Sequence, residues 1–212
     1  MKESELCELF IKDAEQFGFR SFGEYEDWDI VLARHNIIVG VQAKVNMNVK
    51  AITQTIKARG VDFKVIITDN YQFKIGDDWS IVTNALRILH LTHFDSGFHL
   101  VNNVNTYNLY WLRKFRMKPK TKLKIPNFDY YTPSGVPGPR KVTERNISIV
   151  RLEVMALQRG FVTLADARAL GLERVPRYYF DYEWMKRIWT LKPSPFRPSD
   201  DYPHIAKGLL GQ

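Results

Sequence analysis

Asp29 sits near the start of a short apolar stretch, Trp28 to Ala33 (WDIVLA), and Gln42-Ala43-Lys44 lies near the end of the next, Ile37 to Val45 (IIVGVQAKV). The turn residues Arg34-His35-Asn36 between them predict two adjacent strands of a hairpin. Side chains two apart on a strand share a face, so Gln42 and Lys44 project together from a run that is otherwise apolar. Asp29, on the neighbouring strand, falls close to both. Burying a lysine without a partner is costly, so that carboxylate is expected to serve it. A carboxylate, an amide oxygen and an ammonium at one sheet edge can hold a divalent cation and a water. Oxygen donors suit a hard cation, Mg²⁺ first and Mn²⁺ as a substitute. Such a cation lowers the pKa of bound water and neutralises a phosphoryl transition state, and the lysine orients the water or stabilises developing charge. The bland alternative is a structural ion pair between Asp29 and Lys44 in an inert domain.

The elements around these residues follow from periodicity. Residues 3–17 place Leu6, Leu9, Phe10, Ala14 and Phe17 at helical spacing, and Gly18 stops the helix. Strands are predicted at Phe19 to Phe22, Trp28 to Ala33, Ile37 to Val45 and Phe63 to Thr68, with a helix at Val49 to Ala58. A further helix is predicted at Trp79 to Leu91 and a short strand at Phe98 to Val101. The order through residue 68 is helix, strand, strand, strand, helix, strand, an α/β arrangement around a mixed sheet. Residues 117–143 are rich in proline and glycine and read as a basic arm and linker. Beyond it, Ile147, Val150, Val154 and Leu157 mark a helix stopped by Gly160. Thr163 N-caps a short helix, Leu164 to Leu170, and Arg177 to Trp189 is predicted as a third. The prolines at 193, 195, 198 and 203 predict an irregular tail.

A helix bearing an acid, then Asp, then (D/E/Q)-x-K on the following strand, then a helix and an apolar strand, resembles the PD-(D/E)xK nuclease superfamily. Restriction-endonuclease-like and Mrr-like enzymes belong to it, some with Gln at the middle position. The resemblance covers roughly residues 3–70. It implies that Asp29 binds metal, that Gln42 takes the middle position and that Lys44 is the catalytic lysine. The helix acid would be Glu5 or Glu8, with Glu5 preferred, so the implied metal ligands are Asp29, Gln42 and Glu5. Gln54 sits where such helices place a polar residue toward the site. Gln42 replaces a carboxylate, which removes a negative charge and should weaken metal binding. Trp28 stands where the family has proline.

Charge points to the partner. The chain carries 31 Lys and Arg against 23 Asp and Glu, net +8, and residues 101–150 alone hold 10 basic against 2 acidic residues. That asymmetry favours a polyanion such as nucleic acid. The densest run is Arg113, Lys114, Arg116, Lys118, Lys120, Lys122 and Lys124. If extended, its last four lysines share one face at a spacing of ~6.6–7 Å, near the phosphate repeat of one strand. Tyr107, Tyr110, Trp111 and Phe115 lead into it. Arg168, Arg174 and Arg177 are the candidate contacts of the C-terminal helices. His90 and His93, three apart on a predicted helix, lack Cys or acid partners at ligand spacing. Cys7 is the single cysteine, which excludes an internal disulfide and suits a reducing compartment. The acidic start lacks a secretory pattern and no apolar run reaches membrane-span length, so a cytoplasmic protein without a membrane partner is expected.

The expectation is therefore a restriction-endonuclease-like αβββαβ core (residues 1–116), a basic arm (117–143) and a small, mainly α, helix-turn-helix-like unit (144–212). The function expected is Mg²⁺-dependent endonuclease cleavage of double-stranded DNA, with a homodimer cutting both strands. The alternative is a weak or inactive nuclease-fold module, phage-encoded, that binds DNA or blocks another protein.

Overall fold

Apolar residues on both faces of Ile37–Lys44 and Phe63–Asp69 require cover from two sides, and the architecture supplies it. The computed structural model describes residues 1–69, 78–102, 112–127 and 142–210, and these fall into two compact units, the described residues through 125 and those at 126–127 and 142–210. In the first, α1 (Glu3–Gln16) precedes three strands, β1 (Arg20–Tyr25), β2 (Trp28–Arg34) and β3 (Ile37–Lys44). Next come α2 (Val49–Lys57), β4 (Phe63–Asp69), α3 (Asp78–Ala85), β5 (Ile88–Phe94), β6 (Gly97–Leu100) and a single turn, α4 (Leu112–Phe115). The protein is thus α/β with a six-stranded mixed sheet in the order β1-β2-β3-β4-β5-β6. The β1–β2 and β2–β3 pairs are antiparallel, β3–β4 and β4–β5 are parallel, and β5–β6 is antiparallel.

The two faces pack separately. Leu6, Cys7 and Ala14 of α1 meet Ile30, Leu32, Val41, Ala43, Val65 and Ile67 on one side. Ala51 and Ile52 of α2, with Met47 and Trp79, meet Ile66 and Ile88 on the other. Strand β4 therefore sends Val65 and Ile67 one way and Ile66 the other, which is why it reads as an unbroken apolar run.

The expected order of elements through residue 68 is the order found. Past it, the helix predicted at Trp79 to Leu91 ends at Ala85. Arg87 takes a left-handed φ of 57°, and Ile88–Phe94 pairs with β4 instead, from Lys64↔Ile88 to Asp69↔His93. Alternating burial of Ile88, His90 and Thr92 fits a strand, and pairing to an open sheet edge outweighs helix propensity here.

The second unit holds α5 (Glu144–Arg159), capped by Thr143 and closed by Gly160 at φ 81°, then α6 (Leu164–Ala169), whose cap Thr163 exchanges hydrogen bonds with Asp166. The third helix predicted at Arg177 to Trp189 is instead a hairpin, β7 (Phe180–Glu183) and β8 (Ile188–Leu191). Val162 bridges to Trp189, extending this small sheet by one residue. Aromatic and β-branched residues favour strands, and cross-strand pairing of Tyr182 with Trp189 (ring centroids 4.6 Å apart) realises that preference. The tail is not irregular throughout: α7 (Pro198–Asp201) and α8 (Pro203–Leu210) each begin at a proline, where the missing N–H has no helical partner to lose.

One packing contact fixes the neighbourhood of Asp29. The indole of Trp28 lies against Gly40, so that a Cβ there would come within 2.4 Å of ring carbons, and its Nε1 donates to the carbonyl of Arg59. Gly40→Ala should destabilise the first unit by about 1–3 kcal/mol, because the fully buried indole has nowhere to move. Urea unfolding measures this, and an unchanged midpoint would mean that the indole is not held against β3.

Candidate active site

The antiparallel pairing of β2 with β3, in register at Ile30↔Val41, brings Asp29 level with Gln42 and Ala43. One carboxylate oxygen of Asp29, Oδ2, accepts the backbone N–H of Ala43 at 2.8 Å and lies 3.6 Å from Nζ of Lys44. The same ammonium donates to Oε2 of Glu3 at 3.1 Å. Lys44 therefore stands between two carboxylates, one from β2 and one from the first turn of α1. The Lys44 and Asp29 side chains are only 16% and 17% exposed.

Burial alone would depress the Lys44 pKa, but the charges of Asp29 and Glu3, with their hydrogen bonds, outweigh it and hold the pKa above the ordinary 10.5. The lysine is consequently cationic at neutral pH and holds no lone pair to act as a base. Its chemistry is to orient an oxygen or to stabilise negative charge.

Gln42 is 2% exposed, and its Nε2 donates to the carbonyl of Asp27 at 2.6 Å. A carbonyl oxygen can only accept, so the amide nitrogen is the atom committed to it and the amide oxygen is what Gln42 has to offer a ligand. Beneath the site lies Cys7. Burial, followed by the charges of Asp29, Glu24 and Glu3, pushes its thiol well up, which makes it a neutral packing group. Glu24, nearly buried on β1, thus adds its charge to the same region.

The helix acid differs from the one preferred on sequence. Glu5 accepts the backbone N–H of Lys2 at 2.9 Å and caps α1, and Glu8 is exposed. Glu3 lies three residues before Leu6 and four before Cys7, both fully buried against the sheet, so helical geometry puts its side chain on the sheet-facing side. Its spacing to Leu6 and Cys7 is the signal that could have singled it out. Gln54 is exposed on α2. His90 and His93 share a strand rather than a helix, where residues three apart point to opposite faces. His90 is buried and hydrogen-bonds the Thr68 hydroxyl at 2.9 Å. Among the described residues no group of three or more His, Cys, Asp and Glu gathers to hold a metal. The oxygens near Lys44 come instead from two carboxylates and one amide.

The basic run is anchored, not free. Residues 116–125 lack regular structure, yet Met117 and Leu123 donate backbone N–H groups to the carbonyls of Asp62 and Gly60, and the Tyr25 hydroxyl donates to the carbonyl of Lys124. Asp62 is buried. It accepts the N–H of Ile38 at 3.0 Å and Nζ of Lys122 at 2.8 Å, with Arg116 at 3.9 Å. Lys122 and Arg116 therefore fasten the run to the sheet through Asp62, and they, like Arg113, Lys114, Lys118, Lys120 and Lys124, remain exposed. Tyr107, Tyr110, Trp111 and residues 128–141 of the expected arm lie outside the described residues. Arg168, Arg174 and Arg177 are exposed in the second unit.

No family model, curated protein or solved structure matches the chain. No described helix is long and apolar enough to cross a membrane.

Because its partners raise the Lys44 pKa, the stability it contributes is complete below the unfolded value of about 10.4 and is lost as pH rises through the higher folded value. The difference in unfolding free energy between the wild type and Lys44→Met should therefore shrink as pH climbs past 10.5. Urea titrations across that range read it out, and a difference that stays flat would remove the two carboxylates as partners of this lysine.

Proposed function

We propose that the chain is a Mg²⁺-dependent endodeoxyribonuclease that hydrolyses phosphodiester bonds of double-stranded DNA, built on a PD-(D/E)xK core. The observation that carries this reading is the Lys44 ammonium between the carboxylates of Asp29 and Glu3, next to a buried Gln42 whose amide oxygen is uncommitted to Asp27. The succession α1-β1-β2-β3-α2-β4, with three antiparallel strands followed by a parallel one, is the arrangement this reading requires, and it supports the proposal at the level of topology.

The donor set suits a hard divalent cation, since every candidate ligand atom is oxygen. Asp29, Glu3 and Gln42 would hold it. Bound there, it would supply water of lowered pKa and neutralise phosphate charge. The chain's own residues do the rest. Asp29 is oriented by the Ala43 N–H, and Gln42 by the Asp27 carbonyl. Lys44, cationic at neutral pH, positions the attacking water or the scissile phosphate and stabilises the negative charge that develops on it. With a neutral amide in place of a third carboxylate, Asp29, Glu3 and Lys44 together carry a charge of −1. That weakens attraction for the cation but also lessens repulsion of the DNA phosphate. The exposed Lys118, Lys120 and Lys124, on a segment fastened by Asp62, offer the phosphate-binding surface that an acidic centre needs.

One observation favours a second reading, a binding module of the same fold without catalysis: both carboxylates already satisfy the lysine, as they would in a purely structural ion pair. A supercoiled-plasmid nicking assay separates the two. Nicking by the wild type with Mg²⁺, absent in EDTA and abolished in Lys44→Ala while DNA binding persists, is the expected result. Cleavage retained in Lys44→Ala would remove the lysine from the chemistry, and absence of nicking in the wild type with Mg²⁺ or Mn²⁺ would favour the module.

Gln42→Glu adds a negative charge and should tighten Mg²⁺ or Mn²⁺ binding by calorimetry, while losing the hydrogen bond to the Asp27 carbonyl should lower stability in the absence of metal. No heat of binding in either form would end the metal-site reading. For the basic segment, each lost phosphate contact lowers the salt slope of log K by about 0.9 for duplex DNA. Replacing Lys118, Lys120 and Lys124 with Ser should flatten that slope by up to ~2.7 and weaken all sequences alike. An unchanged slope would place the phosphate surface elsewhere.

A further inference from the structure

The hairpin of the second unit ends in a four-residue turn, Trp184-Met185-Lys186-Arg187, every member of which is exposed. Trp184 and Met185 are 73% and 76% exposed. Neither contributes to a core, yet together they place a large aromatic ring and a flexible thioether at the end of a stalk. The stalk itself is well held. The turn closes through the Arg187 N–H to the Trp184 carbonyl at 3.3 Å, Tyr182 packs on Trp189, and Trp189 exchanges backbone hydrogen bonds with Val162 at 2.8 and 2.9 Å. Tyr182 is itself half exposed.

The charges around the stalk decide what the tip meets. Lys186 is paired with Glu183, and Lys192 with Asp181. Arg174, Arg177 and Arg187 are exposed and have no acidic partner among the described residues. Lys192 donates to the Arg177 carbonyl, which places Arg177 beside the base of the hairpin. An apolar tip with unpaired arginines at the tip and the base matches a nucleic-acid groove better than the apolar surface of a protein. Arginines take the phosphates on either side, and an aromatic or thioether wedge leans against or between bases.

We infer that the β7–β8 tip inserts into a groove of double-stranded DNA, with Trp184 and Met185 against the bases and Arg187 on a phosphate. The inference rests on reading the chain as a DNA-binding protein.

The test is fluorescence anisotropy of the full chain on a labelled mixed-sequence duplex, in EDTA so that cleavage does not intervene, at several salt concentrations. Trp184→Ala with Met185→Ala should weaken binding on the order of ten- to a hundredfold and leave the salt slope unchanged, because base contacts release no counterions. Arg187→Gln should lower the slope by about 0.9. Trp184→Phe should restore most of the affinity. Thermal melting of each variant should match the wild type, since these side chains are exposed. Should the double variant melt early, Arg187→Gln and Trp184→Phe carry the comparison. Equal affinity and slope in all variants would overturn the inference. So would tip variants that bind DNA normally but lose self-association in sedimentation, which would make a second copy the occupant. If the wild type binds no duplex, both this inference and the DNA reading fall. If binding depends on the tip but no Mg²⁺-dependent nicking occurs, only the nuclease reading falls.

Discussion

Lys44 carries a full positive charge at the end of an otherwise apolar strand, with 16% of its side chain exposed. A lysine so placed needs negative partners, because desolvating an unpaired ammonium costs several kcal/mol. Asp29 and Glu3 meet that need from two different elements, and much of the first unit can be understood as what brings them there. The β2–β3 register delivers Asp29, and packing of Leu6 and Cys7 against the sheet delivers Glu3. Trp28, seated against Gly40, fixes the backbone just before Asp29. The arrangement is mutually dependent: moving α1 along the sheet would strand the lysine as surely as replacing either acid.

The same constraint shapes what the site can do. Two carboxylates that secure a lysine also hold it protonated, so the ammonium is available for orientation and charge stabilisation but not for proton abstraction. Gln42, tied to the Asp27 carbonyl through its nitrogen, contributes an oxygen without contributing charge. The outcome is a centre that is weakly acidic, partly buried and composed of oxygen donors around one fixed cation. Such a centre carries less negative charge than three carboxylates would, and the basic segment on Asp62 lies on the same unit.

Asp62 shows how a buried charge can serve a surface. Its carboxylate takes one backbone N–H from β3 and the ammonium of Lys122, and its backbone carbonyl takes the N–H of Met117. A proline-containing segment with no regular structure is thereby fastened to the α2–β4 corner, leaving alternate lysines facing outward. The second unit solves a different problem, presenting an exposed tip, through cross-strand aromatic packing and a single bridge to Val162.

Strand alternation and charge placement were legible in the sequence. Gln42 and Lys44 interrupt an apolar run two residues apart, Asp29 lies near the start of the neighbouring run, and glycine stops with a threonine cap marked α1, α5 and α6. These features are local, governed by periodicity and capping, and so they survive without tertiary information. The partners were not local. Helical phase decided that Glu3 rather than Glu5 reaches Lys44, since Glu5 is consumed in capping the helix that carries it. The sheet decided that residues 88–94 form a strand, because an open edge of β4 offered hydrogen bonds a helix could not match. Cross-strand packing turned residues 180–191 into a hairpin, and a buried acid more than fifty residues upstream made Lys122 a fastener. Each of these outcomes depends on which group meets which across long sequence separation, and that is set by the packed structure alone.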